Sequence, residues 1–297
     1  MKFTCSLIAF FLLCLLNSGP LLAQNPAPTK DSLWILETRD GNTHVGTIQK
    51  IRDTTLINTQ FGLLRIPNAN IISLERSSQA GKMVQGEFWQ ANNYATRHFW
   101  GPSGYGLKKG QGYYQNTWVL LNQVSYGFTD HFTLGLGLVP TFLFGAREYI
   151  PFWLTPKFSF PYKNGKGAFG FGTILFGLLR SDVNEGIGIL YGANTFGTPD
   201  RQFTIGLGYG YSTDGGLADY PSISLSGQRR LSKRWVFLTE NYMLAVGNDD
   251  GLLGFISAGA RYMGKSIALD FGGVMPYGGG IDFLIAVPWL GITVPFK

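Results

Sequence analysis

Hydrophobic residues recur at every second position over much of this chain. From Gln202 to Thr213 one set of alternate positions holds Phe203, Ile205, Leu207, Tyr209 and Tyr211, and the other holds Gln202, Thr204, Gly206, Gly208, Gly210 and Ser212. Period two over such a length marks a strand with one face against apolar material and the other turned to water or a polar interior. The rhythm repeats in Phe132–Leu138, Ile223–Ser226 and Ile267–Phe271. It predicts strands near 118–128, 132–144, 148–162, 167–180, 186–196, 202–213, 221–230, 235–247, 252–263, 265–275 and 281–296. Polar and glycine clusters such as Thr129-Asp130-His131 and Lys163-Asn164-Gly165-Lys166 separate them. Single-chain bacterial barrels usually have even strand counts, so Gly104–Gln115 is added as a twelfth, with ten as the alternative. The expected fold is all-β, with an antiparallel transmembrane barrel of 10–12 strands over residues 104–297. Three prolines, Pro151, Pro156 and Pro161, each remove a ladder donor, so their strand is expected to be bulged or partly outside the sheet. The alternation also slips near Thr173 and Pro288, which predicts further bulges.

The first hundred residues read differently. Lys2 followed by the apolar run Leu7–Leu16 and the region before Gln24 has the form of an export signal, residues 1–23, with cleavage expected after Ala23. Both cysteines, Cys5 and Cys14, lie within it, so no thiol or disulfide is expected in the mature chain. Lipid attachment at Cys14 is the alternative, against which Leu12-Leu13 lacks the small residues such a site favours. Residues 24–31 form a proline-containing linker. Five short strands are predicted within residues 32–76, with a turn at Asp40-Gly41-Asn42. Their pattern, from V-G-T-I through G-L-L-R-I-P to I-I-S-L-E, resembles the Sm-like and SH3-like small barrels. That resemblance implies a compact β module. Sm-like relatives often bind RNA, but export separates this chain from nucleic acid, so a periplasmic protein is the expected partner. Residues 77–103 are a connecting segment in which a short interfacial helix over 82–93 is conceivable.

Composition strengthens the barrel reading. The chain of 297 residues has 41 glycines, 15% aromatic residues and only 14% charged residues, against roughly 25% charged in ordinary soluble domains. No run outside the N-terminus reaches the roughly 20 continuous apolar residues of a spanning helix. The net charge of +6 is modest and scattered. At the C-terminus, Trp289–Phe296 resembles the terminal recognition strand of Gram-negative outer-membrane barrels, with Gly291, Val294 and Phe296 in the places of its glycine, hydrophobic and aromatic positions; Lys297 departs from it. The resemblance implies contact with the barrel assembly machinery. The chain as a whole resembles Gram-negative outer-membrane β-barrel proteins of uncharacterised function, which implies the cell outer membrane and its lipid.

Candidate chemistry is sparse. His44, His98 and His131 have no second ligand at metal-binding spacing. Gly101-Pro102-Ser103-Gly104-Tyr105 lacks the last glycine and the strand-to-helix context of a serine-nucleophile elbow. No catalytic residue, metal or cofactor is therefore predicted. Phe99, Trp100, Tyr105, Tyr113 and Tyr114 carry rings suited to a water–lipid boundary, with Lys108 and Lys109 placed to meet lipid phosphates. Arg180, Arg229, Arg230, Glu240, Arg261, Asp270 and Asp282 lie within predicted strands. An Arg facing lipid near the midplane costs roughly 2–4 kcal/mol, so those at membrane depth are expected to face the lumen. Glu240, Arg261 and Asp270, from three successive strands, form the predicted polar cluster there. A structural barrel or narrow channel with a periplasmic module is the leading reading, and a lipid-modifying enzyme or a hydrophobic-compound transporter is the alternative. Short turns weigh against a large receptor with a plug.

Overall fold

The computed structural model describes residues 34–59, 61–76, 81–84, 87–140, 145, 150–179, 186–245, 252–264, 266–278 and 286–296. The export signal with Cys5 and Cys14, the linker, Arg180, Asp282 and Lys297 lie outside the described residues. The chain divides into two compact units, residues 1–88 and 89–297.

In the first unit, Trp34–Thr38 (β1), Thr43–Ile51 (β2), Thr54–Thr59 (β3), Gly62–Pro67 (β4) and Ile71–Arg76 (β5) pair as an antiparallel sheet in the order β4-β3-β2-β1-β5. Leu36, Ile57 and Ile66 are buried at its centre, with Ile48, Ile71 and Leu74 packed around them. The predicted turn between β1 and β2 holds Gly41 at φ 83°, and the Asp40 carboxylate accepts from the Asn42 amide at 2.7 Å and from the Thr38 hydroxyl. Those donors hold the Asp40 carboxyl below its ordinary pKa. Gly81–Val84 (β6) and Glu87–Gln90 (β7) pair as a separate two-stranded ribbon.

The second unit is a closed antiparallel barrel of twelve strands. In chain order they are Gly112–Thr117 (β8), Leu121–Gly127 (β9), Phe132–Leu138 (β10), Ile150–Pro161 (β11), Gly167–Leu179 (β12), Ile187–Thr198 (β13), Arg201–Ser212 (β14), Ser222–Arg230 (β16), Trp235–Ala245 (β17), Leu252–Met263 (β18), Ala268–Gly278 (β19) and Val287–Phe296 (β20). The two-residue strand Gly216–Leu217 (β15) pairs with the end of β14. Sequential neighbours pair throughout, and β20 pairs with β8 to seal the ring. One end of the barrel carries the short connections 128–131, 162–166, 199–200, 231–234 and 264–267. The opposite end, which carries 118–120 and 213–221, is called the loop end below.

Alternation along β14 is strict. Its even residues from Gln202 to Gly208 are buried and its odd residues from Arg201 to Tyr209 are exposed. Ile205 sits opposite Leu225 and Leu207 opposite Ile223, building an apolar outer belt strand by strand. Aromatic rings gather on the outer face near the short-turn end. Phe128, Phe132, Phe158 and Phe171 follow one another at centroid spacings of 6.1, 5.0 and 5.5 Å.

Several expectations need correction. The twelfth strand is Gly112–Thr117, not Gly104–Gln115, and Trp118 belongs to a tight connection with φ 53°. The proline-bearing β11 stays in the sheet: it pairs without interruption with β10 and skips only Thr155 and Pro156 in its pairing with β12. No bulge occurs at Thr173 or Pro288, since β12–β13 and β19–β20 keep one register throughout. The alternation slips there for another reason. Ile174 and Trp289 are inward residues that are themselves apolar.

Candidate functional site: a hairpin inside the barrel

Residues 92–107 enter the barrel as a plug. Both arms are fixed at the short-turn end, where the Asn92 side-chain amide donates to the Pro199 carbonyl at 2.8 Å and the Lys109 amide donates to Asp130 at 3.1 Å. The segment rises, turns and descends. Its turn is closed by the His98 amide donating to the Gly101 carbonyl at 3.0 Å, and Arg97 bridges Pro102 across the hairpin. The local sequence explains the shape. Gly101-Pro102 supplies a turn that cannot extend as a regular ladder, and the Ser103 hydroxyl ties the descending arm to the Ala95 carbonyl at 2.6 Å.

Glycine lets the descending arm lie against the wall. A β-carbon on Gly104 would fall 2.0 Å from the Ala168 carbonyl oxygen, and one on Gly106 would fall 2.8 Å from the Ser159 β-carbon. Any larger residue would force the arm inward. With the backbone this close, small polar wall residues reach it directly. Thr195 accepts from the Gly104 amide at 2.7 Å, Thr133 accepts from the Leu107 amide at 3.1 Å, and Gln202 donates to the Ala95 carbonyl at 2.9 Å. On the opposite side Tyr94 and Phe99 pack on an apolar patch of the inner wall formed by Val236, Leu238, Met263, Ala268 and Trp289.

Charge locks the tip. Asp270 on β19 accepts from Arg261 Nε at 2.6 Å and Arg261 Nη2 at 2.9 Å, and also from Arg97 Nη1 of the plug at 3.1 Å. Arg261 donates further to the carbonyls of Tyr94 and His98, and Arg97 to those of His98 and Phe99 and to the Thr293 hydroxyl. The Glu240 carboxylate receives the backbone amides of Phe99, Trp100 and Gly101 at 2.7, 3.0 and 3.0 Å and the Tyr242 hydroxyl at 3.0 Å. It therefore caps three consecutive N–H groups of the turn, much as an anion caps a backbone nest. Lys157 on β11 reaches across the descending arm to the carbonyls of Thr96 and Tyr105. A buried charge is costly unless paired or hydrogen-bonded, and each of these five charged groups meets that condition through the plug.

Arg261 and Asp270 thus bind each other, while Glu240 lies on the same lumen and binds the plug turn rather than either of them. Arg97, Lys157 and His98 belong to the same interior and stand outside the predicted cluster. His98 is fully buried, and neither ring nitrogen has a hydrogen-bond partner among the described residues. Trp100, expected at the membrane boundary, lines the lumen beside Glu240. Tyr113 also turns inward and lies 5.6 Å beneath the Arg97 guanidinium. Tyr114, Lys108 and Lys109 are exposed. At the C-terminus, Gly291, Val294 and Phe296 sit in β20 opposite Thr117, Tyr114 and Gly112, and the Phe296 ring covers the face of Gly112. Arg230 lies near the short-turn end, where it pairs with Asp200 at 3.1 Å and stacks over Trp89. Among the described residues no group of three or more His, Cys, Asp or Glu side chains is arranged to hold a metal.

No protein-family model matches the chain, and no curated protein sequence matches it. Among solved structures it is similar to the KdgM porin in complex with disordered oligogalacturonate, with 9% identity and a TM-score of 0.45 over 63% of this chain and 99% of that one. It is also similar to OpdQ of Pseudomonas aeruginosa, with 8% identity and a TM-score of 0.35 over 91% and 76% of the two chains. A third is the outer-membrane channel DcaP of Acinetobacter baumannii, with 10% identity and a TM-score of 0.33 over 90% and 94%.

Proposed function

We propose that the chain is a non-enzymatic outer-membrane β-barrel, a narrow channel shut at rest by residues 92–107, whose N-terminal module docks a periplasmic protein. The observation that carries the reading is the hairpin itself. It is buried, bonded to the wall along both arms and pinned at its tip by Asp270 and Glu240. The outer-membrane location is supported by the exposed belt of Phe, Leu and Ile side chains, which is far more apolar than a soluble surface tolerates. A closed ring with no free edge suits a lipid setting. In this reading Tyr114, Lys108 and Lys109 meet lipid headgroups, and the strand bearing Gly291, Val294 and Phe296 is what the assembly machinery recognises. Phe61, 84% exposed, with Leu63 and Ile72 gives the N-terminal module an apolar surface fit for a protein partner.

Hydrophobic transport through a lateral opening at β11 has narrower support, because β11 keeps its ladder with β10 and the break in its pairing with β12 is confined to Thr155 and Pro156. The enzymatic alternative finds no serine, threonine or histidine of the lumen hydrogen-bonded to a carboxylate among the described residues, and the one hydroxyl on a carboxylate, Tyr242 on Glu240, shares it with three backbone amides of the plug. The test is conductance of the full chain in planar bilayers. Wild-type protein is expected to insert and stay closed, with rare brief openings. A steady open current from every inserted molecule would overturn the reading, as would fractionation away from the outer membrane. For the enzymatic alternative, a changed lipid profile in a deletion strain is the observation that would revive it.

A further inference from the structure

Beyond the tip of the plug, toward the loop end, a cavity of about 320 Å³ remains in the lumen. Phe99 and Trp100 form its floor, and Ile189, Leu244, Phe255 and Val274 stand around it. This is a change in the character of the wall. Around the arms of the plug most inward side chains are Ser, Thr, Gln, Arg or Asp. Around the cavity they are mostly aliphatic or aromatic, including Ile174 and Trp289, the two inward apolar residues that disturb the alternation of their strands. A barrel built only to surround a polar plug or a water column has no reason to turn isoleucine, leucine and phenylalanine inward at this level. Such a lining is poor at holding water, because a stable buried water needs two to four polar partners.

The polar groups at the cavity are few and mostly engaged. Glu240 already accepts four hydrogen bonds. Ser222 donates to the Gly208 carbonyl and Ser257 to the Glu240 carbonyl. The hydroxyls of Tyr191 and Ser224 have no such partner among the described residues. Among the described residues no Lys or Arg lines the space, so none of them neutralises an anion there, and Glu240 would repel one.

We propose that this cavity is a binding site for a neutral hydrophobic small molecule. Its volume is roughly twice that of the 150 Å³ apolar cavity that admits benzene, and lies within the usual range for ligand pockets. The site therefore takes two fused rings or a comparable alkyl chain, with one hydroxyl or carbonyl to meet Tyr191 or Ser224. It goes beyond the closed-channel reading and does not require the plug to move. Conductance reports the plug, whereas ligand uptake reports the cavity, so each fails on its own.

The experiment is equilibrium dialysis of 1-naphthol against the full chain in lipid nanodiscs, with empty nanodiscs subtracting partition into lipid. Saturable uptake of one molecule per protein is expected, with 1-naphthoate at least tenfold weaker. Ser224→Phe fills the cavity from a wall position opposite Tyr242 and should weaken 1-naphthol binding at least tenfold. Leu225→Phe, the next residue on the same strand but exposed on the outer belt, should leave it unchanged. If Ser224→Phe fails to give a heat-modifiable barrel, Ser222→Leu takes its place with the same expectation. Uptake no greater than in empty nanodiscs overturns the proposal, as does binding that survives the cavity-filling substitution or that favours the carboxylate.

Discussion

Asp270→Asn removes one charge from the barrel interior and almost nothing else. The Asp270 carboxylate meets two guanidiniums, at 2.6 and 2.9 Å from Arg261 and 3.1 Å from Arg97, with every one of these side chains at most 4% exposed. Asparagine keeps an acceptor oxygen but leaves two buried cations without a counter-charge. Breaking a buried pair by removing one partner costs about 3–5 kcal/mol. Arg261 belongs to the wall and Arg97 to the plug, so displacing the plug separates the two like charges and relieves the cost. At about 1.4 kcal/mol per factor of ten, a penalty of 3 kcal/mol on the seated state raises the displaced population roughly a hundredfold. Single-channel recording reads this directly as more frequent and longer openings, and the folded barrel should also unfold at lower temperature. A compensating variant checks the cause. Adding Arg97→Gln to Asp270→Asn removes one of the two uncompensated cations and keeps a side-chain donor beside the carbonyls of His98 and Phe99, so openings should fall part of the way back towards wild type. An Asp270→Asn protein with wild-type conductance and wild-type melting would refute the idea that charge holds the plug.

Other consequences concern the tip, the belt and the closing strand. Glu240→Gln leaves only one carbonyl to serve three turn amides, so at least one buried N–H loses its partner; a cost of roughly 1–3 kcal/mol should appear as a lower midpoint in thermal unfolding. Ile205→Arg puts a cation on the lipid-facing side of β14 and should cost roughly 2–4 kcal/mol in refolding titrations with lipid vesicles, with an unchanged midpoint counting against a lipid-facing belt. Phe296→Ser removes the ring that covers Gly112 where β20 meets β8, and the yield of heat-modifiable protein in the outer membrane should fall.

The barrel strands were legible because a sheet with lipid outside and a mostly polar wall inside imposes period two on every strand, as Phe203 to Tyr209 illustrate. The hairpin was not. The run from Phe99 to Tyr105 is rich in aromatic rings and glycine, and the same composition suits a membrane boundary or a tightly packed plug. Two signals in that run favour the plug. Gly104 and Gly106 fall on one face of an extended arm, which suits close backbone approach to a wall, and the adjacent Arg97 and His98 suit a buried polar site better than a lipid boundary. Glu240, Arg261 and Asp270 were recognisable as inward charges, but their partners in the plug lie well over a hundred residues earlier in the chain, in a segment with no regular period of its own. Ile174 and Trp289 looked like bulges because alternation assumes a polar interior. Their strands keep register, and the departure marks the apolar cavity instead.

A cysteine pair across the plug and the wall tests the central claim, that residues 92–107 occupy the lumen. A β-carbon on Gly106 would lie 2.8 Å from that of Ser159, about 1 Å inside the mean separation across a disulfide. A small inward shift of the arm, away from the wall, therefore permits the bond in Gly106→Cys with Ser159→Cys. Phe158→Cys in place of Ser159→Cys is the control, since Phe158 faces outward on the same strand. Linked peptides containing positions 106 and 159 are expected from the folded, heat-modifiable barrel after mild oxidation, with none from the control pair. Free thiols at both positions, fully labelled by a maleimide in the folded protein, would contradict a plug inside the barrel.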